Sequence, residues 1–206
     1  MKHIAVFASG RGSNLAAILT AIIRDRIPAK VECVISDQPS PGAFDIARQA
    51  GIPTYWAARS QFSAAEAYPR HLIQLMQNHH IDLIVLAGYL KLIPRQLVAA
   101  YPGMIMNIHP ALLPNFCGKG YYGLKVHEAV IASGVKMTGV TVHFVDEHYD
   151  TGPIILQETV PVLSDDTPER LAARVLEVEH RIYPLVIKAF CEDRLVVEGR
   201  KVNWKS

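Results

Sequence analysis

The sequence predicts an α/β fold with a parallel, Rossmann-like N-terminal half and a mixed-sheet C-terminal half. Three observations carry this. Over residues 1–100, short β-rich runs alternate with segments of helical periodicity, as in parallel sheets covered on both faces. A glycine-rich turn, SGRGSNL, joins the first run to the first helical segment. Beyond residue 100, two strand patterns, TGVTVHFV and GPIILQETVPV, follow one another with only a short loop between them. The halves 1–100 and 101–206 differ in style, but no repeat or flexible linker divides them, so one domain over 1–206 is expected.

Each element follows from its own residues. HIAVFAS reads as a buried strand, and SNLAAILTAIIR as a helix capped by Ser13 or Asn14. VECVIS is the second strand. PGAFDIARQAG is a helix closed by Gly51. TYWA is a third, short strand. SAAEAYPRHLIQLMQNHH is helical, with Pro69 demanding a kink or a late start. IDLIVLAG is a fourth strand and MIMNIH another, and VHEAVIASG is a helix ending at Gly134. In TGVTVHFV, Val140, Val142 and Phe144 alternate with Thr141, His143 and Val145. This strand and GPIILQETVPV are expected to pair, in antiparallel sense. The long helix TPERLAARVLEVEHRIYPLVIKAF takes Thr167 as N-cap and Pro168 as first residue, with Leu171, Val175, Val178, Ile182 and Leu185 as its apolar stripe. RLVVEGRKVNW closes the chain as a hairpin.

Composition narrows the class. Of 206 residues, 50% are hydrophobic and 19% charged, which suits a packed core. A net charge of +2, without any dense Lys/Arg run, gives no electrostatic basis for nucleic-acid binding. No stretch approaches the roughly 18 apolar residues of a membrane helix, and MKHIAVFASG reads as a strand rather than a signal peptide. Cys33, Cys117 and Cys191 form neither a disulfide framework nor a CxxC pair. A cytoplasmic enzyme with reduced thiols is expected.

Two motifs point to chemistry. In SGRGSNL the amides of Gly12, Ser13 and Asn14 lie near a helix N-terminus, where the dipole favours an anion. Leu15 stands where a dinucleotide fingerprint needs its third glycine, and no Gly-Lys-Ser/Thr is present, so a single phosphate fits better than NAD or ATP. An ordinary tight βα turn explains this stretch equally well. In MIMNIHPALLP, Asn107 and His109 stand two apart on a strand that Pro110 terminates, so both project from one face at its carboxyl end. An amide donor beside an imidazolium can stabilise a developing oxyanion, and the imidazole can also handle a proton. Asp150, in the acidic turn DEHYDTGP, is the carboxylate expected to orient His109 or raise its pKa. A solvated turn is the plain alternative, but three such features together favour a site. His79, His80, His127, His148 and His180 have no ligand spacing. His109, His143 and Asp150 form a conceivable zinc set, but no HExxH-type signature accompanies them and no metal is expected.

SGRGSNL, LAGYLKLI, MNIHPALLP, TVHFVDEHYDTGPIILQ and EHRIYPLVI occur in this order over nearly the whole chain. Together they resemble the folate-dependent formyltransferase family, and within it the branch that formylates glycinamide ribonucleotide. The resemblance implies transfer of the formyl group of 10-formyltetrahydrofolate to the amine of that ribonucleotide, a step of purine biosynthesis. The alternative it leaves is a formyltetrahydrofolate deformylase. By the same resemblance Asn107, His109 and Asp150 are catalytic, while Gly12, Ser13 and Asn14 hold the phosphate and Glu179 the glycinamide. Leu90, Lys91, Leu92 and Ile93 line the folate pocket with Asp146, Glu147, His148 and Tyr149. It implies small-molecule partners only, no metal, and a monomer or homodimer. The chain departs from some relatives in having Ala65 where they place an arginine near the folate tail, leaving Arg70 or Lys91 for that role. NFCGKGYYGLKVHEAV is longer than in the shortest members. Its Gly118, Gly120, Gly123 and Lys119 predict a mobile loop near the substrate.

Overall fold

The computed structural model describes residues 1–205 and comprises two compact units, Met1–Met106 and a second that begins at Asn107. The first unit runs β1 (Lys2–Phe7), α1 (Ser13–Arg24), β2 (Ala29–Ser36), α2 (Gly42–Gln49), β3 (Thr54–Trp56), α3 (Ala67–Asn78), β4 (Leu83–Leu86) and α4 (Arg95–Ala100). Its strands stand in the order β3-β2-β1-β4, all parallel. Ile4 to Phe7 and Leu83 to Val85 are completely buried, which is why they read as continuous apolar runs. Helix α3 starts late, placing Pro69 in its first turn, where a missing N–H leaves no bond unmade.

One expectation about α1 fails. Neither Ser13 nor Asn14 caps it. The N-cap is Gly12, at φ +83°, and there is no side-chain cap hydrogen bond. Only glycine fits there, because a Cβ would lie 2.6 Å from Ala43 Cα of α2. Gly12→Ala should cost on the order of 3 kcal/mol from left-handed strain and overpacking. Urea unfolding of the variant measures it.

The chain passes between the units within β5 (Ile105–His109). The second unit continues with α5 (Leu124–Ser133), β6 (Met137–Phe144), β7 (Ile154–Pro161), α6 (Pro168–Cys191), β8 (Leu195–Glu198) and β9 (Lys201–Trp204). Its strands are ordered β6-β7-β9-β8, with β6–β7 and β8–β9 antiparallel and β7–β9 parallel. Thr167 caps α6 by accepting from Arg170 N.

Strand β6 is buried on both faces: Thr138 to Phe144 are all buried. Of its polar residues, Thr141 and His143 find hydrogen-bond partners inside. On α6 the inner row runs Leu171, Val175, Glu179, Ile182 and Val186, whereas Leu185 is exposed and Val178 half-buried. The true helical period of 3.6 carries the row from Val175 onto Glu179 rather than Val178. A carboxylate thus occupies a core-facing position.

Candidate active site

Strand β5 ends by bringing Asn107 and His109 to Asp150 within the second unit. Asn107 Nδ2 donates to Asp150 Oδ1 at 3.3 Å and lies 3.2 Å from His143 Nε2. The opposite amide orientation would set its oxygen against the carboxylate, so the assignment follows from charge. His143 donates Nδ1–H to the Phe144 carbonyl at 2.7 Å, which leaves Nε2 as the acceptor. His143 is therefore a structural neighbour of the trio.

His109 is 4% exposed. Its Nε2 lies 2.8 Å from the Phe116 carbonyl, which only accepts, so Nε2 carries the proton. Its Nδ1 faces Asp150 Oδ2 at 3.8 Å, beyond hydrogen-bond reach. The expected raised pKa is not found. Burial lowers the imidazole pKa and outweighs the opposing pull of Asp150 and the Phe116 carbonyl, with His143 adding to the lowering. The resting His109 is neutral, with a lone pair on Nδ1 turned toward a carboxylate.

For Asp150, burial pushes the pKa up, but the imidazoles of His143 and His109 and the Gly118 amide bring it below the usual carboxylate range. Gly118 N donates to Asp150 Oδ2 at 3.0 Å. Asp150 sits at φ +55°, a left-handed conformation that Asp tolerates better than most residues. The turn that carries it is held by Asp146, whose Oδ1 accepts from His148 N and Thr151 Oγ1. Gly152 is obligatory, since a Cβ there would strike the Phe144 carbonyl. Glu147, His148 and Tyr149 are exposed on the same turn.

The sequence reading missed three supports. The glycine loop is tied at its start to two of the candidate trio, through Phe116 O to His109 and Gly118 N to Asp150. Thr141 Oγ1 donates to Ala111 O and accepts from Leu113 N, while Gln157 Nε2 bonds Thr141 Oγ1 and Leu113 O. These bonds pin the segment that follows His109. The polar letters inside TGVTVHFV and IILQ were the only signal for them. Third, His127 of α5 is 4% exposed, with its pKa pushed down to about 4 by burial and by His109. Because the folded pKa lies below the unfolded value, the unfolded chain binds the extra proton between the two. Stability therefore falls on acidification through that window, by about 2 kcal/mol at pH 5 for this group. Denaturant unfolding at pH 7 and pH 5 should show the loss, and His127→Gln should reduce it.

Elsewhere in the second unit, Glu179 is buried on the inner row of α6. In the first unit the Gly12–Asn14 turn opens α1 without a side-chain cap. Leu90 and Leu92 are exposed, 46% and 42%, whereas Ile93 is buried. Lys91 and Leu92 border a cavity of about 710 Å³ whose wall includes Arg59, Ala65, Tyr68 and Gln96. Arg70 is exposed on α3, outside that wall. Among the described residues, no group of three or more His, Cys, Asp and Glu side chains could hold a metal ion. Nor is any described helix long and apolar enough to cross a membrane.

A neutral imidazole beside a carboxylate and an amide suits proton transfer and oxyanion binding in group transfer. The chain belongs to the formyl transferase family, whose model matches residues 2–187. It is 47% identical over 195 residues to the chloroplastic phosphoribosylglycinamide formyltransferase of Vigna unguiculata, covering 95% of this chain and 62% of that protein. The chain thus spans under two thirds of that relative's length. It is 41% identical to the phosphoribosylglycinamide formyltransferase of Escherichia coli, over 94% of this chain and 89% of that one. The crystal structure of glycinamide ribonucleotide transformylase 1 from Symbiobacterium toebii superposes with a TM-score of 0.93, at 43% identity, covering 100% of this chain and 95% of that chain.

Proposed function

We propose that this formyl transferase moves the formyl group of 10-formyltetrahydrofolate to the amine of glycinamide ribonucleotide. The observation that carries this reading is the Asn107–His109–Asp150 cluster at the end of β5, with His109 neutral and its Nδ1 turned to Asp150.

As the amine attacks the formyl carbon, the carbonyl oxygen becomes an oxyanion. The two hydrogen bonds of Asn107 Nδ2, at 3.2 and 3.3 Å, sit at the long edge of the range. An oxyanion is a stronger acceptor and takes one of them. His109 Nδ1 accepts the proton that the amine loses, and Asp150 stabilises the imidazolium. When the C–N10 bond breaks, that proton passes to N10. The electron pair of the breaking bond stays on nitrogen, so charge and protons balance. No resting imidazolium is needed.

The ribonucleotide phosphate binds the amides of Gly12, Ser13 and Asn14, and Glu179 binds the glycinamide amine. Leu90, Lys91, Leu92 and Ile93, and on the second unit Asp146, Glu147, His148 and Tyr149, contact the donor. The cavity beside Leu92 takes the rest of the folate, with Lys91 and Arg59 as its cations.

Absorbance of the deformylated folate, followed with and without glycinamide ribonucleotide, tests the reading. Turnover only with the ribonucleotide is expected. Equal turnover without it would make the protein a deformylase, and no turnover would leave a binding protein. In the same assay kcat/KM should fall on the acid side with a midpoint below 6.5, because protonated His109 cannot accept the amine proton.

A further inference from the structure

Ser9 follows β1 and Asp37 follows β2, both at the carboxyl ends of parallel strands and both buried. Ser9 Oγ donates to Asp37 Oδ1 at 2.5 Å. A hydroxyl has one proton, and here the carboxylate takes it, so the oxygen's lone pairs are left to face elsewhere. One of them receives the N–H of Leu90, at 3.0 Å. The Ser9 N–H donates in turn to Gly88 O, at 3.1 Å. The other Asp37 oxygen accepts from Gln38 Nε2 at 2.7 Å and lies 3.9 Å from Lys91 Nζ. A single carboxylate therefore acts on two consecutive residues, on Leu90 through its backbone and on Lys91 through charge.

Magnitudes separate the two actions. The Lys91 side chain is 62% exposed, and a pair of that kind is worth about 0–1 kcal/mol. Desolvating a carboxylate costs several times as much, so Lys91 does not account for it. The short O–H···O⁻ bond is the strong contact here. Its effect is to stop the serine rotor, so that Ser9 always presents an acceptor to Leu90.

We infer that Asp37 is a positioning residue for the formyl donor: through Ser9 it holds the Leu90–Ile93 backbone in the shape that grips the folate. This rests on the reading that Leu90–Ile93 contact the donor. Asparagine at 37 keeps an oxygen for the serine proton, whereas alanine frees the rotor.

Steady-state kinetics with 10-formyltetrahydrofolate and glycinamide ribonucleotide test the inference. Asp37→Ala and Ser9→Ala should each raise the donor KM about tenfold, the size of one lost backbone hydrogen bond. The ribonucleotide KM and kcat should stay within about twofold. Asp37→Asn should recover most of the donor KM. If Asp37→Ala does not fold, Ser9→Ala, which removes only a hydroxyl, reads the same shift. Leu92→Ala separates the two claims. A raised donor KM in Leu92→Ala beside an unchanged one in Asp37→Ala and Ser9→Ala would overturn the inference alone. An unchanged donor KM in Leu92→Ala would remove the donor reading and the inference with it. Equal losses in Asp37→Asn and Asp37→Ala, spread over both KM values, would mark a structural role and also overturn it.

Discussion

Alanine at position 107 is expected to lower kcat by about two orders of magnitude and to leave the fold intact. Removing one oxyanion donor typically costs ~3 kcal/mol of transition-state stabilisation, and Asn107 Nδ2 is the amide donor of the cluster. The fold tolerates the change because Asn107 is only half-buried and its bonds are long, while the neighbours Met106 and Ile108 carry the core contacts of the strand. The loss should fall on kcat with both KM values nearly unchanged, since the interaction forms in the intermediate and not in the bound substrates. Thermal melting within a few degrees of the parent, together with a kcat close to the parent's, would show that the amide does not meet the reacting oxygen.

Asparagine at position 150 is expected to cost as much or more. Asn tolerates the left-handed conformation at φ +55° as Asp does, so the turn survives. What is lost is charge. Asp150 accepts Gly118 N on one oxygen and Asn107 Nδ2 on the other. An amide can serve only one of them, and its NH2 then faces another donor. The imidazolium that forms on His109 loses its counter-charge, 3.8 Å away. With the carboxylate gone, nothing charged offsets the burial that already lowers the His109 pKa. A drop in kcat of about 100-fold or more is expected, with the acid limb of kcat/KM displaced to lower pH. Asp150→Ala adds backbone strain of about 1–2 kcal/mol, so its larger loss of melting temperature separates conformation from charge. A pH profile of Asp150→Asn that superimposes on the parent would remove Asp150 from the proton path.

The elements were legible because their signals are local. The alternating strands and helices of the first unit, the late start of α3 that puts Pro69 in its first turn, the Thr167 cap and the closing hairpin follow from periodicity, proline and capping chemistry. The candidate trio was legible for a related reason. A polar i, i+2 pair closing an apolar strand has few structural uses, and the acidic turn DEHYDTGP supplied the carboxylate.

What the sequence by itself determined, then, is the order and type of the elements other than the short α4, Arg95–Ala100, and which polar side chains gather into the candidate site. The tertiary structure decided their state. Whether His109 rests charged or neutral depends on the balance between desolvation and a carboxylate at 3.8 Å, a sum over groups far apart in the chain. The same holds for the two-sided burial of β6, for the Thr141–Gln157 bonds behind the site, and for Gly12, whose missing side chain leaves room for Ala43. Even the placing of Glu179 on the inner row of α6 turned on less than one residue of helical phase. Local propensity runs along the chain, whereas burial and charge act across it, and these contacts exist only once the chain has folded.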